Sequence, residues 1–383
     1  MYKSWMLIKA GNHLYNRPGG SCPSSIIYCL RNPCRLCAGV TGGGSATPVY
    51  PSTIEELIAY LTDPSPQNIV IERTFDFVGS EGTKTYSACN AYACSPSEGG
   101  QALLNTLGGC GSLATYEVTL DAAGVEGVNV ASDKTLVGLG ANTVLNGKGL
   151  RFVGVSNIII QNIEITNLNP QYVWGGDAFV FSDTDLIWID HVTTSSLGRQ
   201  HYSFGQSSDN GVTISNSFIN GVTEHSATCD GHTYWGPELV GSSDQITFYK
   251  NYVYYTSGRS RALSGNTLFH AVNSVWADNS GHAIEGTSNG MGLFEGCVFE
   301  NVPVVVASDF VGQLFSSEAA YIGQCQTYLG RSCITNIYSN SGAFNYDQYG
   351  FFVDFSGRTI APALSASSIE TSVPAGAGKT LPT

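Results

Sequence analysis

After residue 130, short runs of alternating apolar and polar positions recur along the chain. Examples occupy residues 155–162, 185–191, 210–216, 244–251, 266–273 and 290–297. In each, β-branched or aromatic residues alternate with polar ones, and a small polar residue follows at a bend. The alternation puts Ile158 and Ile160, or Ile187 and Ile189, on one face of a strand. The runs begin roughly 22 to 35 residues apart, a period typical of solenoid coils. A coil this short cannot bury its own apolar face, so a core forms only if coils stack. The pattern therefore predicts an all-β, single-stranded parallel β-helix with peripheral loops. Asn162, Asn251 and Asn273 are expected at the bends, where a side-chain amide bonds the coils above and below. Helical periodicity is confined to residues 52–61, with Ser52 as cap and Glu55 three residues on. That helix is expected to cover the N-terminal end of the stack. Residues 362–383, rich in Ser, Ala, Pro and Gly, read as a low-complexity C-terminal tail, either a surface strap or mobile.

Composition narrows the function. Of 383 residues only 12% are charged, Gly numbers 45, and the formal net charge is −13. An acidic chain of this kind is a poor ligand for nucleic acid or an anionic membrane, and no apolar run reaches transmembrane length. Acidity without an exposed apolar motif favours a monomer. Seven of the eleven cysteines lie in the main body without metal-ligand spacing, which points to disulfides and an oxidising compartment. Cys325 and Cys333 can close a short loop, and Cys297, in a strand-like run, reads as a buried thiol. The first 54 residues carry five basic residues and no acidic one, and Cys22, Cys29, Cys34 and Cys37 all fall there. One CxxC without a second pair does not make a zinc site, and Trp5–Ile8 is too short for a signal peptide's apolar run. Residues 1–40 thus read as an atypical leader, disordered or wrongly assigned to the protein, with the principal domain at 41–361.

Candidate chemistry centres on arginine. A chain with only 17 Lys and Arg places Arg259 and Arg261 in Ser257-Gly-Arg-Ser-Arg261, about sixty residues after Asp190-His191 and Arg199. Arginine is permanently charged and grips carboxylates with a planar fork. Three arginines with Asp177 suggest a site for uronate sugars, hence an acidic or esterified plant polysaccharide.

The series Trp174-Gly-Gly-Asp177, Trp188-Ile-Asp190-His191, Gly198-Arg199-Gln-His-Tyr202 and Ser257-Gly-Arg259-Ser260 resembles the secreted fungal pectin lyases of the pectate lyase superfamily, polysaccharide lyase family 1. The resemblance covers roughly residues 41–360. It implies a right-handed β-helix that needs no cofactor and no metal. The implied reaction is β-elimination within methyl-esterified galacturonan, leaving a 4,5-unsaturated uronide. Such a substrate is nearly neutral and is little repelled by a −13 protein. By the same resemblance Arg199 replaces the calcium of pectate lyases, Asp177 is the retained carboxylate and Arg259 is the proton acceptor. A guanidine base would need neighbouring positive charge, from Arg199 or Arg261, and exclusion of water. Trp174, Tyr234 and Trp235 correspond to aromatic residues lining the cleft, with Arg261 as a further substrate contact, while His191 is structural. The family pattern also pairs Cys89 with Cys110 and Cys94 with Cys229.

Two departures stand out. Arg259-Ser-Arg261-Ala262 replaces the family's Arg-Ser-Pro-Lys, loosening a turn and removing a cation. Residues 95–110 lack the tryptophans often found there. Three other readings are weighed against the lyase. A calcium-dependent pectate lyase would need several carboxylates around Asp177, and residues 191–199 supply none. A β-helix that binds pectin without cutting it is motivated by the change at Arg261-Ala262. A hydrolase would need a carboxylate pair, and Asp183 with Asp185 reads as a turn instead.

Overall fold

The computed structural model describes residues 39–260 and 262–381. The six alternating runs form six consecutive strands of one ten-stranded parallel sheet. These strands are Ser156–Gln161, Thr184–Asp190, Asp209–Ser215, Gln245–Tyr249, Leu268–Val272 and Gly290–Glu295. Their registers align Ile160, Ile189, Ile214, Phe248, Ala271 and Phe294 in one file. All six side chains are buried in the principal core. A nine-stranded and a six-stranded parallel sheet complete the walls. The molecule is a parallel β-helix, right-handed as crossovers between parallel strands are.

One left-handed residue per coil turns the chain out of the first sheet. Asn162, His191, Asn216, Lys250, Asn273 and Gly296 occupy this step, with φ of 54, 52, 47, 55, 50 and 58°. The amide of each of the first five donates to a carbonyl in the next coil, so the hydrogen-bond ladder continues round the corner. Asn and Gly adopt this conformation most readily. Asn251 does not: it lies one residue past the bend, and Lys250 holds the left-handed position. The Asn251 amide instead donates to the Ile214 carbonyl at 2.8 Å, and its oxygen accepts from the Ser217 amide at 2.8 Å. His191 is a turn residue of the same file, with Nδ1 2.8 Å from Asp190 Oδ2.

The helix spans Ile54–Thr62, and its cap is Thr53, not Ser52. Thr53 Oγ1 accepts from the Glu56 amide, while Glu56 accepts from the Ser52 amide and hydroxyl. The capping box is shifted by one residue because Leu57 and Leu61 must enter the core, which fixes the helix phase. Disulfides join Cys89 to Cys110, Cys94 to Cys229 and Cys325 to Cys333, and Cys297 lies buried outside these bridges. The first two brace a lateral flap in which Thr83–Cys89 pairs antiparallel with Thr115–Asp121. At the C-terminus Ala366, Ile369, Val373 and Ala377 are buried against Val275, Ala277 and Val298. This segment crosses the bend ladder, with the Leu364 amide on Asn273 Oδ1, the Gly378 amide on the Asn216 carbonyl and the Leu381 amide on Asn162 Oδ1. It is an anchored strap, with Ala366 and Ala377 packed against the wall and Ser365, Ser367, Ser368 and Ser372 exposed. Residues 1–38 and Arg261, with the leader reading and the four leader cysteines, lie outside the described residues.

Between the first and third walls, Thr184, Asp209, Asp244 and Thr267 stack on successive coils. The Thr184 amide and hydroxyl donate to Asp209 Oδ1, the Asp209 amide donates to Asp244 Oδ1, and the Thr267 hydroxyl donates to Asp244 Oδ2. Asp209 Oδ2 is buried with no hydrogen-bond partner. Burial raises Asp209 to about 7, with repulsion from Asp244 adding to it, and burial raises Asp244 to about 6. Both values exceed those of the unfolded chain, so the folded state retains protons that the unfolded state releases. The stabilisation is complete below about pH 4 and is lost as pH rises through about 6 and about 7. The Asp209→Asn variant should lack the Asp209 part of this slope, on the order of 4 kcal/mol, and keep the part due to Asp244. Denaturant midpoints of both proteins between pH 4 and pH 8 measure the difference.

Candidate active site

The site lies on the outer face of the six-stranded sheet. Phe179, Phe181, Tyr202, Phe204, Leu239 and Leu263 point inward and are buried, with Phe181 and Phe204 stacked at 4.2 Å. Strand alternation then directs the intervening residues outward. Register places Val180, Ser203, Glu238 and Ala262 opposite one another on successive rungs, and a parallel bridge continues the file to Glu285. Asp177, Arg199 and Arg259 come from the turns that feed these strands.

Arg199 is almost fully buried beneath Trp174, with its guanidinium carbon 3.7 Å from the ring centroid. Its Nε and Nη2 donate to the two oxygens of Asp177 at 3.0 and 2.9 Å. Nη2 also reaches Ser203 Oγ at 3.2 Å and lies 3.5 Å from Glu238 Oε2. The Gln200 amide donates to Asp177 Oδ1 at 2.8 Å, fixing the carboxylate from the backbone side. Arg259 Nη1 donates to Glu238 Oε1 at 3.0 Å and its Nε to Glu285 Oε1 at 2.9 Å. Glu238 thus lies between the two arginines. On the far side, Glu285 Oε2 is 2.7 Å from His282 Nε2 and accepts the Tyr234 hydroxyl at 3.1 Å.

Burial opposes ionisation of Glu285, but the hydrogen bond from His282 and the charge of Arg259 outweigh it and hold the carboxyl below its ordinary value. Burial and the adjacent Glu285 charge push the Tyr234 hydroxyl up to about 12, so Tyr234 donates at neutral pH. Tyr92 is raised by burial, against the opposing pull of Arg259 and Arg199. The backbone of Arg259 has φ 31°, a region sparsely populated outside glycine. The preceding turn is pinned by Ser260 Oγ, which lies 2.6 Å from Thr256 Oγ1 and 2.9 Å from Asn279 Nδ2.

The structure brings together Asp177, Arg199, Arg259, Trp174 and Tyr234. Trp174 is 38% exposed and covers Arg199. Trp235, read as a sugar-stacking residue, is instead buried beside Tyr234 and Tyr92, and its indole N–H donates to Gln101 Oε1 at 2.7 Å. It supports the cleft floor, because Gln101 from the flap also bonds the Gly198 carbonyl next to Arg199. Arg261 lies outside the described residues. Of the two cations expected beside Arg259, Arg199 lies just across Glu238, which both arginines bond, and Arg261 is outside the described residues; the direct ion-pair partners of Arg259 are Glu238 and Glu285. Sequence reasoning missed both, along with His282, Ser203 and Gln101. Residues 191–199 supply no carboxylate, whereas Glu238 arrives two coils later. Strand parity was the available signal, since Glu238 precedes the inward Leu239 and must face outward. Asp183 and Asp185 are exposed at the start of their strand, away from this cluster.

Fold and sequence comparisons agree on the family. A family model described as pectate lyase matches residues 106–379. A probable pectin lyase E of Aspergillus niger is 78% identical over 344 residues, covering 90% of this chain and 93% of that protein. A pectin lyase B of Emericella nidulans is 50% identical, covering 89% and 91%. Among solved structures, a pectate lyase from Bacillus sp. N165 in complex with trigalacturonate superposes with a TM-score of 0.59 at 16% identity, covering 91% of this chain and 98% of that one. A pectate lyase from Xanthomonas campestris gives 0.56 at 18% identity, covering 92% and 100%. The chain belongs to the pectate lyase family of polysaccharide lyases.

Gly258 tests how tightly the cleft is built. A Cβ at this position would collide with the Tyr234 ring. Gly258→Ala should therefore displace Tyr234 and cost about 1–3 kcal/mol of stability. Urea unfolding monitored with near-ultraviolet tyrosine dichroism reads both effects.

Proposed function

We infer that this chain is a pectin lyase, which cleaves methyl-esterified galacturonan by β-elimination. The observation that carries the reading is the guanidinium of Arg199, which occupies the space between Asp177 and Glu238. A calcium-dependent lyase would need those carboxylates for its cation. Here they are already bonded to an arginine, and the nearly neutral ester substrate requires no metal bridge. The 78% identical relative bears the name pectin lyase, which supports the same substrate. Three disulfides fit an oxidising, extracellular location, and no helix among the described residues is long and apolar enough to cross a membrane. The acidic composition favours action as a monomer.

In the elimination a proton leaves C5 of the galacturonate, its electron pair forms the C4=C5 bond, and the C4–O bond breaks. Negative charge builds on the ester carboxyl oxygens as the proton leaves. Arg199 is the group that stabilises it. Its Nε and Nη2 are bonded within the protein, which leaves Nη1 for substrate. Asp177 and Trp174 hold the guanidinium from two sides, so little reorganisation is needed when charge develops. Arg259 faces the C5 proton as the family's acceptor. It can accept only in its neutral form, since a guanidinium has no lone pair available for a proton, and its ion pairs with Glu238 and Glu285 favour the charged form. Tyr234 lines the cleft above Glu285.

Absorbance of the unsaturated product, followed on highly methylated pectin and on polygalacturonate with calcium or chelator, tests this reading. The expected outcome is activity on methylated pectin that survives chelation. Activity confined to polygalacturonate with calcium would overturn it, and silence on both would favour the binding-only alternative. Arg199→Ala should lower kcat by about 10²–10³, as removal of a preorganised charge-stabilising donor does elsewhere. Arg199→Lys should restore little, because an ammonium cannot reproduce the fork to Asp177.

A further inference from the structure

We propose that Glu238 and Glu285 determine selectivity for esterified over free galacturonate, by occupying the arginines that would otherwise grip a free carboxylate. The inference rests on the pectin lyase reading and adds to it the residues that enforce the ester preference.

An open arginine fork is among the strongest protein binders of a carboxylate. Two such forks in one cleft should make free galacturonate a tight ligand. In this site neither fork is open. Arg199 presents Nε and Nη2 to Asp177 in a bidentate pair, and Arg259 spreads Nη1 and Nε over Glu238 and Glu285. Among the described residues the two cations face three carboxylates. A free uronate entering here must displace an internal carboxylate or join a cluster already net negative. A methyl ester suffers neither penalty: its carbonyl accepts one N–H and brings no charge.

The sheet register builds this arrangement. Glu238, Ala262 and Glu285 occupy successive rungs of one outward file. Ala262 has no side chain beyond Cβ, so a single guanidinium reaches both carboxylates across it. A lysine at this rung would offer each glutamate a competing cation and tilt the balance back toward positive. Neither glutamate is a bystander on an open surface, since their side chains are 18% and 20% exposed. Charges so placed are screened less by salt than exposed ones. His282 and Tyr234 hold Glu285 in place from behind, whereas among the described residues Glu238 is ion-paired with the two arginines.

Glu238→Gln and Glu285→Gln, with Glu238→Asp as the conservative control, test the proposal. For each protein, kcat/KM is measured with chelator on pectins of high and low methylation. The dissociation constant of trigalacturonate is measured by calorimetry at low and high salt. The expected result for Glu238→Gln is a fall of about tenfold in the high-to-low methylation ratio, the size expected for one like charge removed a few ångströms from the ligand. Trigalacturonate should bind correspondingly tighter, and high salt should reduce the gain only in part. Glu285→Gln should move both readouts in the same direction, and Glu238→Asp should keep the wild-type ratio. Equal loss on both pectins with unchanged trigalacturonate affinity, in a variant whose thermal midpoint is preserved, would overturn the proposal. So would an Arg261→Ala variant that shifts the ratio while Glu238→Gln does not. The calorimetric comparison needs no turnover. If wild type proves inactive on every pectin, the lyase reading falls, and the affinity difference still decides whether the glutamates exclude free uronate.

Discussion

A coil of twenty to thirty residues has one apolar face and nothing of its own to cover it. Every structural feature of this molecule follows from the need to stack such coils in register. Register is held by two devices. Inside, Ile160, Ile189, Ile214, Phe248, Ala271 and Phe294 fill one file, so a one-residue slip would turn a whole strand's apolar set outward. At the corner, one left-handed residue per coil keeps the ladder of amides unbroken. The C-terminal strap fastens to that corner at Asn273, Asn216 and Asn162, and so ties coils far apart in sequence.

The active cleft is a by-product of the same register. Inward aromatics on the six-stranded wall force Ser203, Glu238 and Ala262 to face outward on adjacent rungs. Turns at the strand entrances then supply Asp177, Arg199 and Arg259 at fixed heights along the axis. The flap contributes through Gln101, which joins the floor residue Trp235 to the carbonyl of Gly198. Rigidity follows from parallel hydrogen bonding on every rung, and a site that must stabilise developing charge needs that rigidity.

The ion pairs of the cleft contribute more to selectivity than to stability. Partly buried pairs of this kind often contribute little net stability, because desolvation offsets attraction. On the proposed reading, their value lies in where they leave charge: guanidinium groups whose neighbouring carboxylates are already bonded to them. The same arrangement bears on Arg259, whose direct partners are the anions Glu238 and Glu285, with Arg199 one carboxylate away.

The repeat, the β-helix and the arginines of the site were legible in the sequence because they are local. Alternation over five to seven residues, a Trp-Ile-Asp-His strand and a Ser-Gly-Arg turn each announce themselves within one coil. Asp177 and Arg199 were legible as residue types in a chain poor in charge. The capping residue was misplaced by one because the helix phase is set by Leu57 and Leu61 entering a core that lies elsewhere in sequence. The burial of Trp235 was hidden for a similar reason, since Tyr92 and Gln101 of the flap, which help to cover it, lie more than a hundred residues away in sequence. Glu238 and Glu285 lie dozens of residues from the motifs they serve. They reach Arg199 and Arg259 only when coils stack, because neighbours on a parallel β-helix wall are separated by a full turn of chain. Within-coil pattern is thus a property of the sequence alone, whereas contact between coils, and with it the charge balance of the cleft, was decided by the tertiary structure.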